Sequence, residues 1–313
     1  LMFWASKGID AFRCDMAEMV PVEFWDWAVS RVKKKYRKIQ FIAEIYNPGS
    51  YWDYINRGHF DYIYDKVGLY DTLRAITEGR ESATAITRCW QQNGFNGPHM
   101  LHFMENHDEQ RFASEFFGGD AMKTLAPLYV SLFLNTAPFM IYFGEEVGEK
   151  GMDHEGFSGR DGRTTIFDWW SVASVRRLRK MISSGAYKSL DAGKIAMAGL
   201  ERGEAELFCR FAEAIRTAAA DEAVRKGSTY DLCYCNMSSD GFDKNRHFAF
   251  LRDYEEHTLL IATNFSQYEA KMKLVIPEHA FDWMGIPVTE DLHPGKTIEV
   301  TVPPMDGVIV SLI

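Results

Sequence analysis

Long apolar runs are missing from this 313-residue chain. Nothing in it approaches the roughly 20 consecutive apolar residues that span a bilayer, so no membrane partner is expected. Basic residues are the minority, 35 Lys and Arg against 44 Asp and Glu, which leaves a net charge of −9. That sign repels phosphate backbones and removes nucleic acid from the expected partners. Cysteine is sparse and odd in number, five in all, and the CxxC pairs of a zinc ribbon are absent. Such a set builds no disulfide framework. Cys233 and Cys235 stand two apart in a strand-like run, on one face but too far apart to bond easily, so all five read as free thiols. There is no Gly-x-Gly-x-x-Gly after the first strand, no internal repeat and no low-complexity linker. A leading Met is also absent. Leu1 to Gly8 reads as the tail of a helix ending at a glycine, so an upstream part with any signal peptide is expected to be missing, and the compartment stays open.

What is present is ordinary globular material, 46% hydrophobic and 25% charged, enough for a large core. The length predicts about two domains. Five short apolar runs recur in the first part, at 9–13, 39–43, 60–64, 100–104 and 139–143. Between them lie helical segments at 22–35, 51–57, 69–76, 81–93 and 121–134, the first opened by Pro21. Buried strands joined by connections too long for hairpins predict a parallel sheet, either doubly wound or part of an eight-stranded barrel. Residues 200–226 read as one long helix. After Gly227 come six short alternating runs, at 230–235, 247–251, 258–264, 270–276, 297–302 and 308–313, separated by turn residues. They predict a small all-β sandwich, with the boundary between 1–227 and 228–313.

In a barrel of βα units, catalytic groups sit where strands end. The first run ends in Arg13-Cys14-Asp15, the second in Glu44, and the fourth in Glu105-Asn106-His107-Asp108. Carboxylates gathered on one rim are electrostatically costly, which marks them as chemistry. Two of them, one protonated and one ionised, are what cleavage of a glycosidic bond needs. Arg13, two residues before Asp15, points the same way along its strand and can keep that carboxylate ionised. Singly, each residue also has a structural reading: Asp15 or Asp108 as a helix cap, Glu44 as a rim ion pair, His107 as a core histidine.

At these residues the sequence resembles the α-amylase family, glycoside hydrolase family 13. Gly8-Ile9-Asp10-Ala11-Phe12-Arg13-Cys14-Asp15 is similar to its fourth-strand motif, Phe41-Ile42-Ala43-Glu44 to its fifth, and Phe103-Met104-Glu105-Asn106-His107-Asp108 to its seventh. Tyr142-Phe143-Gly144-Glu145-Glu146 resembles the end of the eighth strand, and Asp161-Gly162-Arg163-Thr164-Thr165 a loop common after it. The resemblance covers roughly Gly8 to Gly227. It implies a partial (β/α)8 barrel, strands four to eight, followed by the family's C-terminal β domain. It implies Asp15 as nucleophile, Glu44 as general acid/base and Asp108 as transition-state stabiliser, with Arg13 and His107 as supporting binders. The substrate it implies is an α-glucan or maltooligosaccharide.

Two departures qualify the match. The Lys-His pair that often follows the nucleophile by three and four residues is replaced by Glu18 and Met19. The third-strand motif, Asp…Asn-His, falls before Gly8, outside this sequence. The resemblance implies calcium as well, but its ligands fall in the same outside region, so no cofactor or metal is assigned here.

Remaining features take bland readings. The basic run 31–38 closes a helix, where cations complement the dipole. His99, His102 and His107 could suggest a metal, but the first two fall in or beside a buried strand without ligand spacing. Cys14 is a small packing residue, and Gly156-Phe157-Ser158-Gly159 is not a nucleophile elbow. Tyr46 and Trp52, just past Glu44, are candidates for a sugar-stacking wall, whereas Trp25 and Trp27 are expected in the core. The expected activity is that of a retaining glycosidase on starch-like oligosaccharides. Its rivals are an α-glucan transglycosidase or maltosyltransferase, and a carbohydrate-binding homologue without turnover.

Overall fold

The computed structural model describes residues 1–151, 160–164, 172–255 and 257–313. The five apolar runs become β1 (Ala11–Cys14), β2 (Gln40–Ala43), β3 (Tyr62–Tyr64), β4 (Met100–Phe103) and β5 (Phe139–Met140), and their spatial order follows the chain. Every neighbouring pair is parallel. A short α1 (Met2–Ala5) precedes β1. Between and around the strands lie α2 (Val22–Lys35), α3 (Tyr51–Asn56), α4 (Asp71–Thr77), α5 (Thr84–Asn93) and α6 (Leu125–Phe133). These are the βα units of a partial barrel. In α2 the face carrying Trp25, Val29 and Val32 is buried and the last turn carries Lys33, Lys34 and Lys35, where positive charge offsets the helix dipole. Trp27, by contrast, is on the exposed face. Lys33 also donates to the Asp61 side chain at 2.8 Å and the His59 carbonyl at 2.9 Å, which ties α2 to the approach to β3.

Local turns shorten several expected elements. The fifth run pairs only at Phe139 and Met140, because Gly144, with φ of 83°, turns the chain into a 3-10 turn at Glu145–Val147. The segment 69–76 starts as a π-helical turn, Lys66–Tyr70, whose leading residue Asp65 accepts the Leu69 N–H at 2.8 Å. The segment 121–134 opens as a 3-10 turn, Ala121–Thr124, before α6 begins. Gly156–Gly159 and Thr165 lie outside the described residues.

The remaining helices are α7 (Ala173–Ser184), α8 (Ala192–Met197), α9 (Arg202–Ala220) and α10 (Glu222–Lys226). The expected single helix 200–226 is therefore two. Asp221 breaks it by taking extended backbone and accepting the Ala223 N–H at 2.8 Å, so one residue ends α9 and caps α10. The chain then forms β6 (Ser228–Asp231), α11 (Cys233–Asn236), β7 (His247–Tyr254), β8 (His257–Asn264), β9 (Ala270–Val275), α12 (Glu278–Met284), β10 (Thr297–Val302) and β11 (Asp306–Ser311). Cys233 and Cys235 are thus on a helical turn, not a strand. Asp231 accepts the Cys233 N–H at 2.7 Å, and that cap overrides the alternating pattern. All five cysteines are free.

The last six strands form a four-stranded antiparallel sheet, ordered β11-β8-β7-β6, and a separate β10-β9 pair. In β7 and β8 nearly every residue is buried, the pattern of strands covered on both faces. All nine residues of α6 are buried as well. This helix packs on β8 and β11 on one side and on β4 and α9 on the other, so one apolar core runs through both parts of the chain. At the closest approach Gly307 of β11 lies against the Tyr129 ring, where a Cβ would overlap ring carbons.

Arg252 on β7 fastens the same junction. Its fully buried guanidinium donates to the carbonyls of Ala223 (2.9 Å), Val224 (2.6 Å) and Leu134 (3.3 Å) and to the Thr229 hydroxyl. Burial pushes its pKa down to about 10, with Asp221 acting in the opposite direction. Arg252→Met is expected to lower unfolding free energy by about 3 kcal/mol in urea denaturation, because several buried carbonyls lose their donors at once. Arg252→Lys should recover little, since one ammonium cannot span those acceptors.

Candidate active site

The parallel register decides which residues meet at the rim. Cys14 pairs with Ala43, so Asp15 and Glu44 are the next residues on adjacent strands. The ladder continues one step further, with Glu44 N–H donating to Cys14 O at 3.1 Å and Ala17 N–H to Glu44 O at 3.0 Å. Arg13 and Asp15 are two apart and therefore share a face.

Arg13 holds the two carboxylates together. Its Nη1 bonds Asp15 Oδ1, and its Nη2 lies 2.9 Å from Glu44 Oε1. The guanidinium also sits 5.3 Å from the centre of the Tyr64 ring at the end of β3. Burial works against its charge, but Asp15, Tyr64 and Glu44 together drive its pKa further up. The two acids sit in unlike surroundings: the Glu44 side chain is 3% exposed and that of Asp15 is 74% exposed. Glu44 accepts two further hydrogen bonds, from Met16 N–H and from the Tyr46 hydroxyl, both at 2.8 Å. Met16 reaches its position in left-handed backbone, φ 43°.

Tyr46 links this pair to the loop after β4. Its phenol pKa is pushed up by burial, then by the bond to Glu44, then by the charges of Glu44, Asp108 and Glu109. The Asp108 carboxylate is thus near enough to act on the Tyr46 phenol through its charge. His107 Nε2 lies 3.3 Å from Asp108 Oδ2, and both side chains are about one-third exposed, so His107 is not a core histidine. The Asn106 carbonyl oxygen accepts the N–H groups of Asp108 and Glu109, each at 2.9 Å, which shapes the loop as an Asx turn. Arg163 Nε donates to the Asp108 carbonyl at 2.5 Å. Trp52 is different. It stands 60% exposed on α3 and makes none of the contacts that join the others.

Three supporting groups escape a reading of the sequence. Glu105, apparently one more rim carboxylate, is turned inward: Arg111 Nη1 and Phe112 N–H both donate to it at 2.6 Å. Arg111 is fully buried and also donates to Thr164 Oγ1 and Phe143 O at 2.6 Å, so the pair anchors the loop carrying His107 and Asp108. The sequence signal is slight, an arginine six residues on. Glu18, in the place of the expected lysine, accepts Tyr46 N–H at 3.2 Å and Asn47 N–H at 3.1 Å and so orients the loop that presents Tyr46. Asp65 and His102 form a buried pair, 3.7 Å apart, with His102 Nδ1 bonded to Ser131 O at 2.8 Å. Among the described residues, no group of three or more His, Cys, Asp or Glu side chains is arranged to hold a metal ion. No helix among them is long and apolar enough to cross a membrane.

No family model matches the chain. Neopullulanase 2 of Thermoactinomyces vulgaris is 27% identical over 156 residues, 48% of this chain and 26% of that protein. Alpha-amylase MalA of Haloarcula japonica is 28% identical over 151 residues, 47% of this chain and 21% of that protein. The matches thus span about a quarter of those relatives' length. Among solved structures, the ligand-free cyclic alpha-maltosyl-(1→6)-maltose hydrolase of Arthrobacter globiformis superposes with a TM-score of 0.65 at 17% identity, covering 99% of this chain and 57% of that one. At that identity the likeness is one of fold.

Cys14, beside Asp15, has its thiol pKa pushed up to about 11 by burial, with Arg13 acting against the shift. At pH 8 it is therefore a thiol and a poor nucleophile. Iodoacetamide at that pH should leave Cys14 unmodified while the half-buried Cys209 reacts, as peptide mass mapping would read.

Proposed function

We propose that this α-amylase-family chain contributes the second half of a retaining glycoside hydrolase acting on α-glucosidic bonds of starch-like oligosaccharides. Its parallel strands would be the fourth to eighth of a (β/α)8 barrel, residues 1–227, with residues 228–313 as a C-terminal β-sandwich. The sheet is open beyond β1 and β5 among the described residues, and the activity is proposed for the form in which it closes. The observation that carries the reading is the single guanidinium of Arg13 gripping both Asp15 and Glu44. Carboxylates held by neighbouring nitrogens of one planar group stand close together. That suits the retaining spacing of about 5–5.5 Å better than the inverting spacing of about 6.5–9.5 Å.

In this mechanism the exposed Asp15 attacks the anomeric carbon while Glu44 delivers a proton to the departing glycosidic oxygen. A covalent glycosyl-enzyme results. Glu44, now ionised, takes a proton from water, and the hydroxide equivalent displaces Asp15 with net retention. Arg13 pairs with Asp15 and would balance the charge that Glu44 acquires between the two steps. Asp108, with His107 beside it, would bind ring hydroxyls as the sugar flattens. Tyr46 would offer its ring to the sugar and its hydroxyl to Glu44, and Trp52 a more distant stacking face. Among the described residues no donor set forms a calcium cage, and the steps above rest on side chains alone.

Asp15→Asn and Glu44→Gln should each lower kcat on maltooligosaccharides by about 10²–10⁴-fold, measured by reducing-end release from the closed-barrel enzyme. Retained activity in either variant would refute the assignment. Newly released ends should carry the α configuration by NMR. Products longer than the substrate would move the reading to a transglycosidase or maltosyltransferase, and binding without any turnover would move it to a carbohydrate-binding homologue.

A further inference from the structure

Away from the carboxylates, a pocket of about 340 Å³ opens where α5 meets the C-terminal sheets. That volume lies near the lower end of the range of about 300–1,000 Å³ typical of small-molecule sites. Four aromatic side chains from four elements line it: Trp90 of α5, Tyr230 of β6, Tyr234 of α11 and Trp283 of α12. Core packing accounts for Tyr230 and Trp90, which belong to or lean on the buried cluster, but not for Trp283 and Tyr234, which remain 56% and 55% exposed. Tyr230 is the hub. Its ring centre lies 6.0 Å from that of Trp283 and 5.9 Å from that of His279. Its hydroxyl is hydrogen-bonded to the Tyr234 hydroxyl and, at 3.1 Å, to His279 Nδ1.

The polar lining excludes charged ligands. Neither lysine nor arginine is among the lining residues, so an anion meets no counter-charge. The one carboxylate, Asp231, is already engaged by the Thr87 hydroxyl and by the Cys233 N–H, so a cation meets no free acid. What is left suits a neutral ligand with flat apolar faces and many hydroxyls: exposed indole and phenol rings beside His279 and the Gln91 amide. A pyranose has that character, since its axial C–H groups stack on aromatic faces while its rim hydroxyls bond laterally.

We propose that this pocket is a second carbohydrate site, distinct from the Asp15–Glu44 cleft, which takes a terminal one or two glucose units of an α-glucan. The choice of glucose rests on the hydrolase reading above; the stacking site itself rests on the pocket. Such a site anchors a long chain while another stretch of it enters the cleft, so it favours long substrates over short ones.

Calorimetric titration with maltoheptaose tests this, on the protein carrying Tyr46→Ala so that the cleft contributes less. Trp283→Ala should weaken the remaining binding by roughly tenfold, and Trp283→Phe should restore part of it because the stacking face survives. Trp283 is exposed enough for either variant to fold, as a thermal melt would verify. Maltoheptaose binding that is absent, or unchanged in both Trp283→Ala and Tyr234→Ala, would overturn the proposal. The two readings fail separately. Loss of the hydrolase reading leaves Trp283-dependent binding without cleavage, and loss of the pocket leaves cleavage with binding indifferent to Trp283.

Discussion

Two ionised acids side by side in a cleft repel each other unless a positive group stands between them. At about 5 Å in a partly screened site, unopposed carboxylates would repel by at most about 3 kcal/mol. Arg13 removes that cost, and most of the site's geometry follows from where it sits. It rises from β1 two residues before Asp15, reaches across to Glu44 at the end of β2, and lies near the ring of Tyr64 from β3. Three adjacent parallel strands thus converge on one cation, and only a parallel sheet puts their C-terminal ends on the same rim. The cation does not make the acids equivalent. Glu44 is enclosed by Met16 and Tyr46 while Asp15 faces solvent, so the two proposed roles fall to groups in different surroundings.

Arginines recur as fasteners deeper in the molecule. Arg111 is neutralised by Glu105 and spends its other donors on Thr164 and the Phe143 carbonyl, so it joins the loop after β4 to the chain beyond β5. Arg252 instead is surrounded by carbonyls and a hydroxyl. A planar fork with five donors can satisfy several chain ends at once, which no other side chain does.

The parallel strands were legible because short apolar-rich runs recur with connections too long for hairpins, and their order along the chain is their order in space. The rim positions of Asp15, Glu44 and the His107-Asp108 pair were legible because each follows closely on a strand-like run. What could not be read was decided by single hydrogen bonds. Asp221 divides a helix-like stretch through its own side chain, Asp231 turns the cysteine segment from strand to helix, and Gly144 cuts the fifth strand to two residues. Glu105 illustrates the same point within the site. By residue type it is one more acid on the rim, and only a partner six residues away turns it into the core. Glu18 is a further case: its departure from the expected lysine is visible, but its grip on the Tyr46 loop is not.

α6 is buried along its whole length, between β4 and α9 on one side and the four-stranded sheet on the other. The proposed division near Gly227 would therefore be one of topology rather than of stability. A helix that is core to two layers cannot lose one of them without exposing to water the apolar side chains that faced it. Evolution or engineering that exchanges the terminal β region of such a chain must carry over a matching seat for this helix, so the two regions inherit each other's changes as a pair.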